Sequence, residues 1–229
     1  MSILLPLKPL PGLEEPLWLP APDRPNLPVN ELHIWRAHLE EPAPSRWINS
    51  DGSGDNCPVS RDLTEQMKAT LFRKDIMARY LGEENGDASL SMLAGPSSGL
   101  RVAMARCDHL ALIAVSRNVR HMGLDVERVR EDIPIEEMAD GFLDAGDQWS
   151  LRITWSLQEK AWKFFQFWTS NEACAQARTK SLSSHACRVS GFSPESDFIA
   201  ALAVEGGPEA GVLFWDWSSQ AFAPSHEGP

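Results

Sequence analysis

Two carboxylates lie two residues apart in the segment Met122–Glu127, which reads Met-Gly-Leu-Asp-Val-Glu. The apolar residues between them predict a strand, and side chains two apart on a strand point to the same face. Asp125 and Glu127 therefore share a face, where their negative charges repel each other unless a cation lies between them. Carboxylate oxygens suit Mg²⁺, which also takes substrate phosphates as ligands. The alternative interpretation is a solvated strand end that binds nothing.

A third acidic residue lies in the aromatic segment Ala161–Ala173, which reads Ala-Trp-Lys-Phe-Phe-Gln-Phe-Trp-Thr-Ser-Asn-Glu-Ala. Phe164, Phe165 and Trp168 recur at a helical spacing and predict a buried helix face. Glu172 follows on the same predicted helix. A single glutamate on a helix is most often only solvated, so Glu172 gains a chemical role only together with the strand carboxylates.

The elements that must position these residues form two units of similar plan, each with a strand, a long helix and further strands. The first unit comprises a strand at Leu32–Ala37, a helix that begins near Ser60 or Asp62 and ends at Leu81, and strands at Ala88–Leu93, Leu100–Ala105 and Leu110–Ser116. The second comprises a strand at His121–Val126, helix and loop over Asp132–Ser150, a helix over Gln158–Ala177, and strands at Phe198–Val204 and Val212–Trp217. This repeat predicts an α+β fold, a pseudo-dimer of two similar α/β halves in which a small antiparallel sheet packs on a long helix.

Proline usage separates the N-terminus from these two units. Eight of the 17 prolines fall in the first 28 residues, which predicts an extended arm over residues 1–29. The leucines of this arm and Trp18 indicate that it lies on the body of the protein. With a seam near Asn118, the two halves would cover residues 30–118 and 119–229.

Charge and composition exclude several classes of function. The net charge of −11 opposes general binding to nucleic acid or to an anionic membrane, because affinity for a polyanion requires a basic face. No apolar run approaches the roughly 18 residues that span a bilayer, and prolines interrupt the N-terminal apolar stretch, which argues against a secretion signal. The four cysteines show no zinc-type spacing and are expected to be reduced thiols. A cytoplasmic, monomeric protein is expected.

The two motifs together resemble those of the 4′-phosphopantetheinyl transferases of the surfactin type. That family carries a (V/I)G(V/I)DxE strand and a later helix reading FFxxWTxKExxxKAxGxGL, which correspond here to Met122–Glu127 and Phe164–Ala173. A rival register for the helix motif lies at Trp155–Glu159, but the paired phenylalanines favour Glu172. The similarity extends over about Leu32–Trp217, and the family's fold is a pseudo-dimer of two α/β halves.

The resemblance implies an enzyme that uses Mg²⁺ to transfer 4′-phosphopantetheine from coenzyme A to a serine of an acyl or peptidyl carrier protein, as in secondary metabolism. Asp125, Glu127 and Glu172 would hold the metal ion. The expected catalytic residues are Asp125 and Glu172, and Glu172 would also deprotonate the serine, directly or through water.

The expected phosphate ligands differ from the family pattern. The two lysines of the helix motif fall on Asn171 and Gln176, the Ser-His-Ser segment falls on Ala105–Cys107, and the Gly-Lys-Pro turn has no lysine. Coenzyme A needs cationic partners for its phosphates. The cations expected to replace the missing lysines are Arg101, Arg106, Lys160 and Lys163.

The alternative function is that of a catalytically divergent relative that acts as a binding or scaffold protein, or of a repurposed enzyme of a biosynthetic pathway. The negative net charge of the chain also disfavours acidic carrier proteins as partners, because like charges repel.

Overall fold

The computed structural model describes residues 16–39, 58–81, 99–178, 187–206 and 211–217, with the side chains of the first helix described from Gln66 onward. The elements in these ranges are β1 Trp18–Pro20, β2 Glu31–His38, α1 Pro58–Leu81, β3 Arg101–Cys107, β4 Leu110–Ser116, β5 His121–Arg128, α2 Ile135–Phe142, α3 Ala145–Arg152, α4 Leu157–Arg178, β6 Arg188–Phe192, β7 Phe198–Glu205 and β8 Gly211–Trp217. The mixture of helices and sheets confirms the predicted α+β class. No helix in these ranges has the length and apolar character needed to cross a membrane.

The described strands form two sheets. The first has the order β1-β8-β2-β4-β3, in which β8 runs parallel to β1 and β2 while β4 is antiparallel to its two neighbours. The second is antiparallel, with the order β5-β7-β6. β8 follows the strands of the second sheet in the chain, yet it pairs within the first sheet. The prediction of an antiparallel sheet in each consecutive half is therefore wrong for the first sheet, which is mixed because the last strand of the chain inserts into it in parallel.

Alternating side chains along the strands build four layers. Ile34 and Leu112 of the first sheet share one buried cluster with Leu124 and Leu202 of the second, so the two sheets pack face to face. The opposite face of the first sheet, which includes Trp35, packs against α1. The outer face of the second sheet packs against α4. The order of the layers is therefore α1, first sheet, second sheet, α4.

The central strands of the two sheets are covered on both sides. Every residue of β4 and β7 is buried, because each strand has a neighbour on either edge, a helix above one face and the other sheet against the opposite face. A strand buried on both faces has an apolar run in place of an alternating pattern. Their continuous apolar sequences account for the close agreement with the predicted strands.

Two short strands were not predicted from the sequence. β1 lies in the arm, which was expected to be extended and to lie on the body of the protein, and it pairs with β8. Trp18 of β1 stacks edge-on against Phe214 at 5.2 Å, and its indole N–H donates to the carbonyl oxygen of Pro194 (3.1 Å). β6 lies between the predicted helix Gln158–Ala177 and the predicted strand Phe198–Val204, where no element was predicted. The helix α1 ends at Leu81 as predicted. The predicted strand Ala88–Leu93 lies outside the described residues.

Candidate active site

The strand that carries the two carboxylates meets α4 at Gly123. A Cβ atom built on Gly123 would overlap the carbonyl oxygen of Ala173 and lie 2.9 Å from the backbone nitrogen of Ala177. Ala173 and Ala177 are themselves buried between the helix and β7. Only a residue without a side chain fits at this contact. The small residues on both sides thus bring the axis of α4 close to β5.

This contact brings three carboxylates into one electrostatic group. Gly123, Asp125 and Glu127 alternate along β5 and so share the face that Gly123 presents to α4, where Glu172 directly precedes Ala173. The pKa of Asp125 is raised to about 7, in largest part by burial and in smaller part by the negative charges of Glu127 and Glu172. The pKa of Glu127 is also raised, first by burial and in smaller part by Asp108 and Glu172. The negative charge of Glu172 therefore contributes to the raised pKa of both Asp125 and Glu127.

Asp125 carries an unsatisfied oxygen at the centre of this group. Its Oδ2 atom is buried and has no hydrogen-bond partner. A buried anionic oxygen without a partner costs free energy, and neighbouring negative charges increase that cost. A hard divalent cation would compensate both, so the donor set fits Mg²⁺. Among the described residues, however, three ligand atoms that all lie within 4.8 Å of one another occur at another place in the fold. At least one pair of the three carboxylates is therefore more than 4.8 Å apart.

Glu127 is oriented by a thiol that neither sequence motif contains. Burial raises the pKa of Cys107 to about 11, so the thiol is protonated at neutral pH. It donates to Oε2 of Glu127 across 3.6 Å. The positive charge of Arg130 lowers the pKa of Glu127 and opposes the effect of burial. The only available sequence signal was the position of Cys107 in the segment aligned with a phosphate-binding motif.

The two arginines proposed from the sequence lie at opposite ends of β3. Arg101 donates from Nε to the carbonyl oxygen of Arg120 (3.1 Å), just before β5 begins. Cys107, beside Glu127, is six residues further along β3, or about 20 Å. Arg106 is exposed at the same end of β3 as Cys107. Arg106 therefore lies nearer to Glu127 along the chain direction than Arg101 does, but its side chain alternates with that of Cys107 and belongs to the face of β3 that Val102 and Met104 present to α1.

The two lysines proposed from the sequence are paired with other residues at the start of α4. Lys160 forms an ion pair with Glu136 (2.6 Å). Lys163 donates to Oγ1 of Thr154 (3.0 Å) and lies 3.3 Å from Glu159. They precede Glu172 by twelve and nine residues, which along a helix is about 18 Å and about 14 Å.

The rival register for the helix motif has a local structural explanation. Ser156 precedes the first residue of α4, and its hydroxyl accepts a hydrogen bond from the backbone N–H of Glu159 (3.3 Å). The order Ser-x-x-Glu is a capping-box sequence at a helix N-terminus. Glu159 is exposed and pairs with Lys163. These contacts favour Glu172 as the third carboxylate.

Gln176 occupies the position where the family motif has its second lysine, and it makes a structural contact there. Its Oε1 atom accepts a hydrogen bond from the backbone N–H of Leu124 (3.2 Å). β5 is an edge strand of the second sheet, and this bond ties the edge strand to α4. Gln176 thus reinforces the same helix–strand contact that Gly123 permits.

A pH-dependent effect of Asp125 on stability follows from its raised pKa. The carboxyl group has a pKa of about 7 in the folded chain and about 4 in the unfolded chain, so the folded state binds the extra proton between these values. The free energy of unfolding therefore falls as the pH rises from about 4 to about 7. In EDTA, we expect Asp125→Asn to be more stable than the wild type by about 1–3 kcal/mol above pH 7, an amount already reduced for partial solvent contact.

Thermal unfolding of both proteins across this pH range measures the difference. It should shrink towards pH 4, where the wild-type carboxyl is protonated in both states. A variant that is less stable than the wild type above pH 7 would mean that the ionised carboxylate stabilises the fold, contrary to the repulsion inferred above.

Comparison with known proteins yields a relative of the kind that the motifs indicate. The chain is 28% identical over 176 residues to the 4'-phosphopantetheinyl transferase HetI of Nostoc sp. (strain PCC 7120), a region that covers 70% of this chain and 73% of that protein. No family model matches the sequence. The chain is thus similar, at modest identity, to a curated phosphopantetheinyl transferase.

Proposed function

We propose that this protein transfers the 4′-phosphopantetheine group of coenzyme A to a serine of an acyl or peptidyl carrier protein. The observation that carries the proposal is the buried, unpartnered Oδ2 atom of Asp125 beside the charges of Glu127 and Glu172. The similarity to HetI supports the same reaction class. Membership of the surfactin-type group, with divergent coenzyme A-binding motifs, is part of this proposal.

The proposal includes the organisation into two halves that the family resemblance implies. One long helix covers the outer face of each sheet, α1 on the first and α4 on the second. The first half would correspond to residues 30–118 and the second to residues 119–229, apart from β8, which pairs in the first sheet. The arm, residues 1–29, would lie outside both halves.

Asp125, Glu127 and Glu172 would hold Mg²⁺. When bound, the ion would neutralise charge that develops on the leaving phosphate. The Cys107 thiol holds the carboxylate of Glu127 in one orientation through its hydrogen bond. Asp125, buried on the same strand face, supplies an oxygen that the protein does not otherwise use.

Glu172 would also act as the general base. Its side chain is exposed, whereas Ala173 and Cys174 after it are buried. The hydroxyl of a carrier serine could therefore reach this carboxylate from solvent. Glu172 would accept the serine proton directly or through one water molecule as the serine oxygen attacks the phosphorus atom.

The coenzyme phosphates need cations near the carboxylates. Arg106 and Arg130 lie at the end of the molecule that carries Glu127, by their positions on β3 and after β5. Arg130 acts on Glu127 by its charge, so we assign the phosphates to Arg130 first and to Arg106, on the opposite face of β3 from Cys107, second. Of the other cations expected from the sequence, Arg101 lies at the far end of β3, and Lys160 and Lys163 are paired with other residues.

Mass spectrometry of the carrier tests the function directly. The protein is incubated with coenzyme A, Mg²⁺ and apo forms of several acyl and peptidyl carrier proteins, and we expect the carrier to gain one phosphopantetheine group. Carriers whose acceptor serine is replaced by alanine, and reactions in EDTA, should show no gain. Absence of the adduct on every carrier, with folded protein and measured Mg²⁺ binding, would favour the binding or scaffold alternative.

A further inference from the structure

Three side chains of metal-ligand type converge at a place that the proposed transfer reaction does not use. His38 ends β2, His109 lies in the turn between β3 and β4, and Glu195 lies in the turn between β6 and β7. Nε2 of His38 is 2.7 Å from one carboxylate oxygen of Glu195, and Nε2 of His109 is 2.8 Å from the other. The three ligand atoms all lie within 4.8 Å of one another.

Hydrogen bonds hold the backbone around these three residues in place. The backbone N–H of Leu39 donates to the carbonyl oxygen of His109 (2.6 Å), which joins the end of β2 to the turn. The hydroxyl of Ser193 donates to the carbonyl oxygens of Glu195 and Phe198, each at 2.9 Å, and closes the β6–β7 turn. Ligands on supported backbone positions lose little conformational freedom when they bind an ion.

The two imidazole rings are also held in place. Their planes are inclined by 15° and their centroids lie 5.9 Å apart, so the rings of His38 and His109 stack. The ring of His109 packs edge-on against Phe198 at 5.3 Å. Both Nε2 atoms point to the same carboxylate. The arrangement is therefore ordered before any ligand arrives.

The group is open to solvent on one side. The exposed fractions of the side chains are 38% for His38, 42% for His109 and 21% for Glu195. Burial raises the pKa of Glu195, but hydrogen bonds and charges from the two histidines outweigh it, so the pKa is lowered overall. An ion from solution can thus reach an ionised carboxylate flanked by two imidazoles.

We propose that His38, His109 and Glu195 form a binding site for a divalent transition metal ion, with Zn²⁺ as the best match. Zn²⁺ takes imidazole nitrogen and carboxylate oxygen at about 2.1 Å in tetrahedral geometry, which separates neighbouring ligand atoms by about 3.4 Å. The present nitrogen–oxygen distances would have to widen by about 0.6–0.7 Å. On binding, each Nε2 lone pair would face the ion, and each ring would ligate as a neutral imidazole that carries its proton on Nδ1. A water molecule would complete the coordination.

The ligand types distinguish this site from the carboxylate group on β5 and α4. Imidazole nitrogen favours zinc and its neighbours in the first transition series, whereas all-oxygen sets favour Mg²⁺. The ligands come from both sheets, because His38 and His109 belong to the first sheet and Glu195 to the β6–β7 turn of the second. A bound ion would therefore fix the two sheets to each other and stabilise the fold.

Zinc titration of the untagged full chain, stripped of metal with a chelator, tests this site. Calorimetry should show one equivalent of Zn²⁺ bound, and Co²⁺ should give the visible absorption of a nitrogen- and oxygen-ligated ion. At a hundredfold excess of free Zn²⁺ over the dissociation constant, we expect the melting temperature to rise by about 5–10 °C. A wild-type protein that binds no Zn²⁺ would overturn the proposal.

Variants locate the bound ion. His38→Asn, His109→Asn and Glu195→Gln should each weaken Zn²⁺ binding by at least about tenfold. The matched control is His121→Asn, on β5 and outside the group, which should bind as the wild type does. Glu195→Gln keeps the size of the side chain and guards against loss of folding in the histidine variants. A folded Glu195→Gln protein with wild-type affinity would overturn the proposal and move the ion to another set of ligands, such as the cysteine thiols.

Discussion

Replacing Glu172 with glutamine is expected to reduce the rate of phosphopantetheine transfer by about 10²–10⁴-fold. Glutamine keeps the size and helical position of the side chain but cannot accept the serine proton, and it contributes no charge to the metal ligands. The measurement is the initial rate of formation of holo-carrier, followed by mass spectrometry under saturating coenzyme A and Mg²⁺. Because Glu172 is exposed, the substitution should leave the melting temperature close to that of the wild type.

Glu159→Gln is the matched control. Glu159 lies on the same helix and is the glutamate of the rival register, but its backbone N–H donates to the Ser156 hydroxyl at the start of α4 and its side chain pairs with Lys163. Glutamine is also accepted at this position of a capping box, so the variant should fold and keep its transfer rate within about twofold. Loss of activity in Glu159→Gln together with a wild-type rate in Glu172→Gln would reverse the assignment of the third carboxylate.

Asp125→Ala separates metal binding from proton transfer. We expect it to abolish transfer and to remove the rise in melting temperature that Mg²⁺ gives the wild type, since the buried oxygen that fits the ion is lost. Glu172→Gln should weaken the Mg²⁺ response less, because Glu172 is exposed and its side chain retains one oxygen. Equal Mg²⁺ responses in the wild type and Asp125→Ala would contradict a metal site at Asp125.

The elements that the sequence predicted well are those whose own residues create the burial pattern. β4 and β7 are apolar up to their last residues, Ser116 and Glu205, because both of their faces are covered. In α4, Phe164 and Phe165 are buried, and the aromatic spacing predicted that face. β1 and β6 lack such patterns. β1 has three residues, one of them Pro20, and depends on its pairing with β8, almost two hundred residues away.

The candidate site was predictable where it depends on local spacing and unpredictable where it depends on the meeting of distant segments. Two carboxylates at i and i+2 must share a strand face, so Asp125 and Glu127 could be grouped from the sequence alone. The thiol of Cys107 reaches Glu127 only because β3 packs beside β5. The group formed by His38, His109 and Glu195 joins three turns and strand ends, and no local periodicity links them.

The sequence also could not show which expected phosphate ligands are paired with other residues in the fold. Composition and register identified Lys160 and Lys163 as cations on the helix of Glu172, but the sequence could not reveal that α2 supplies Glu136 as a partner for Lys160. Side chains of this length take whichever partner the tertiary structure brings near. Arg130, whose charge acts on Glu127, was not selected because it follows the motif in an irregular segment.

A methyl group at Gly123 is expected to have the largest effect on stability. In Gly123→Ala, the new Cβ would overlap the carbonyl oxygen of Ala173 and lie 2.9 Å from the backbone nitrogen of Ala177. These are backbone atoms of a helix packed on the sheet, so they cannot move aside as a flexible side chain would. Overpacking of this kind typically costs about 1–3 kcal/mol and occasionally more. We expect about 3 kcal/mol, or a fall in melting temperature of about 6–12 °C.

Gly191→Ala is the control, because Gly191 lies on β6 of the same sheet and its added Cβ would meet the carbonyl oxygen of Ala200 only at 3.8 Å, an ordinary contact. That variant should melt within a few degrees of the wild type. Because α4 must move away from β5 to admit the methyl group, Gly123→Ala should also separate Glu172 from Asp125. Its transfer rate and Mg²⁺ affinity should then fall below those of Gly191→Ala. Both variants are measured well below their melting temperatures. If Gly123→Ala melts and reacts like Gly191→Ala, the close contact between α4 and β5 is not what holds the three carboxylates together.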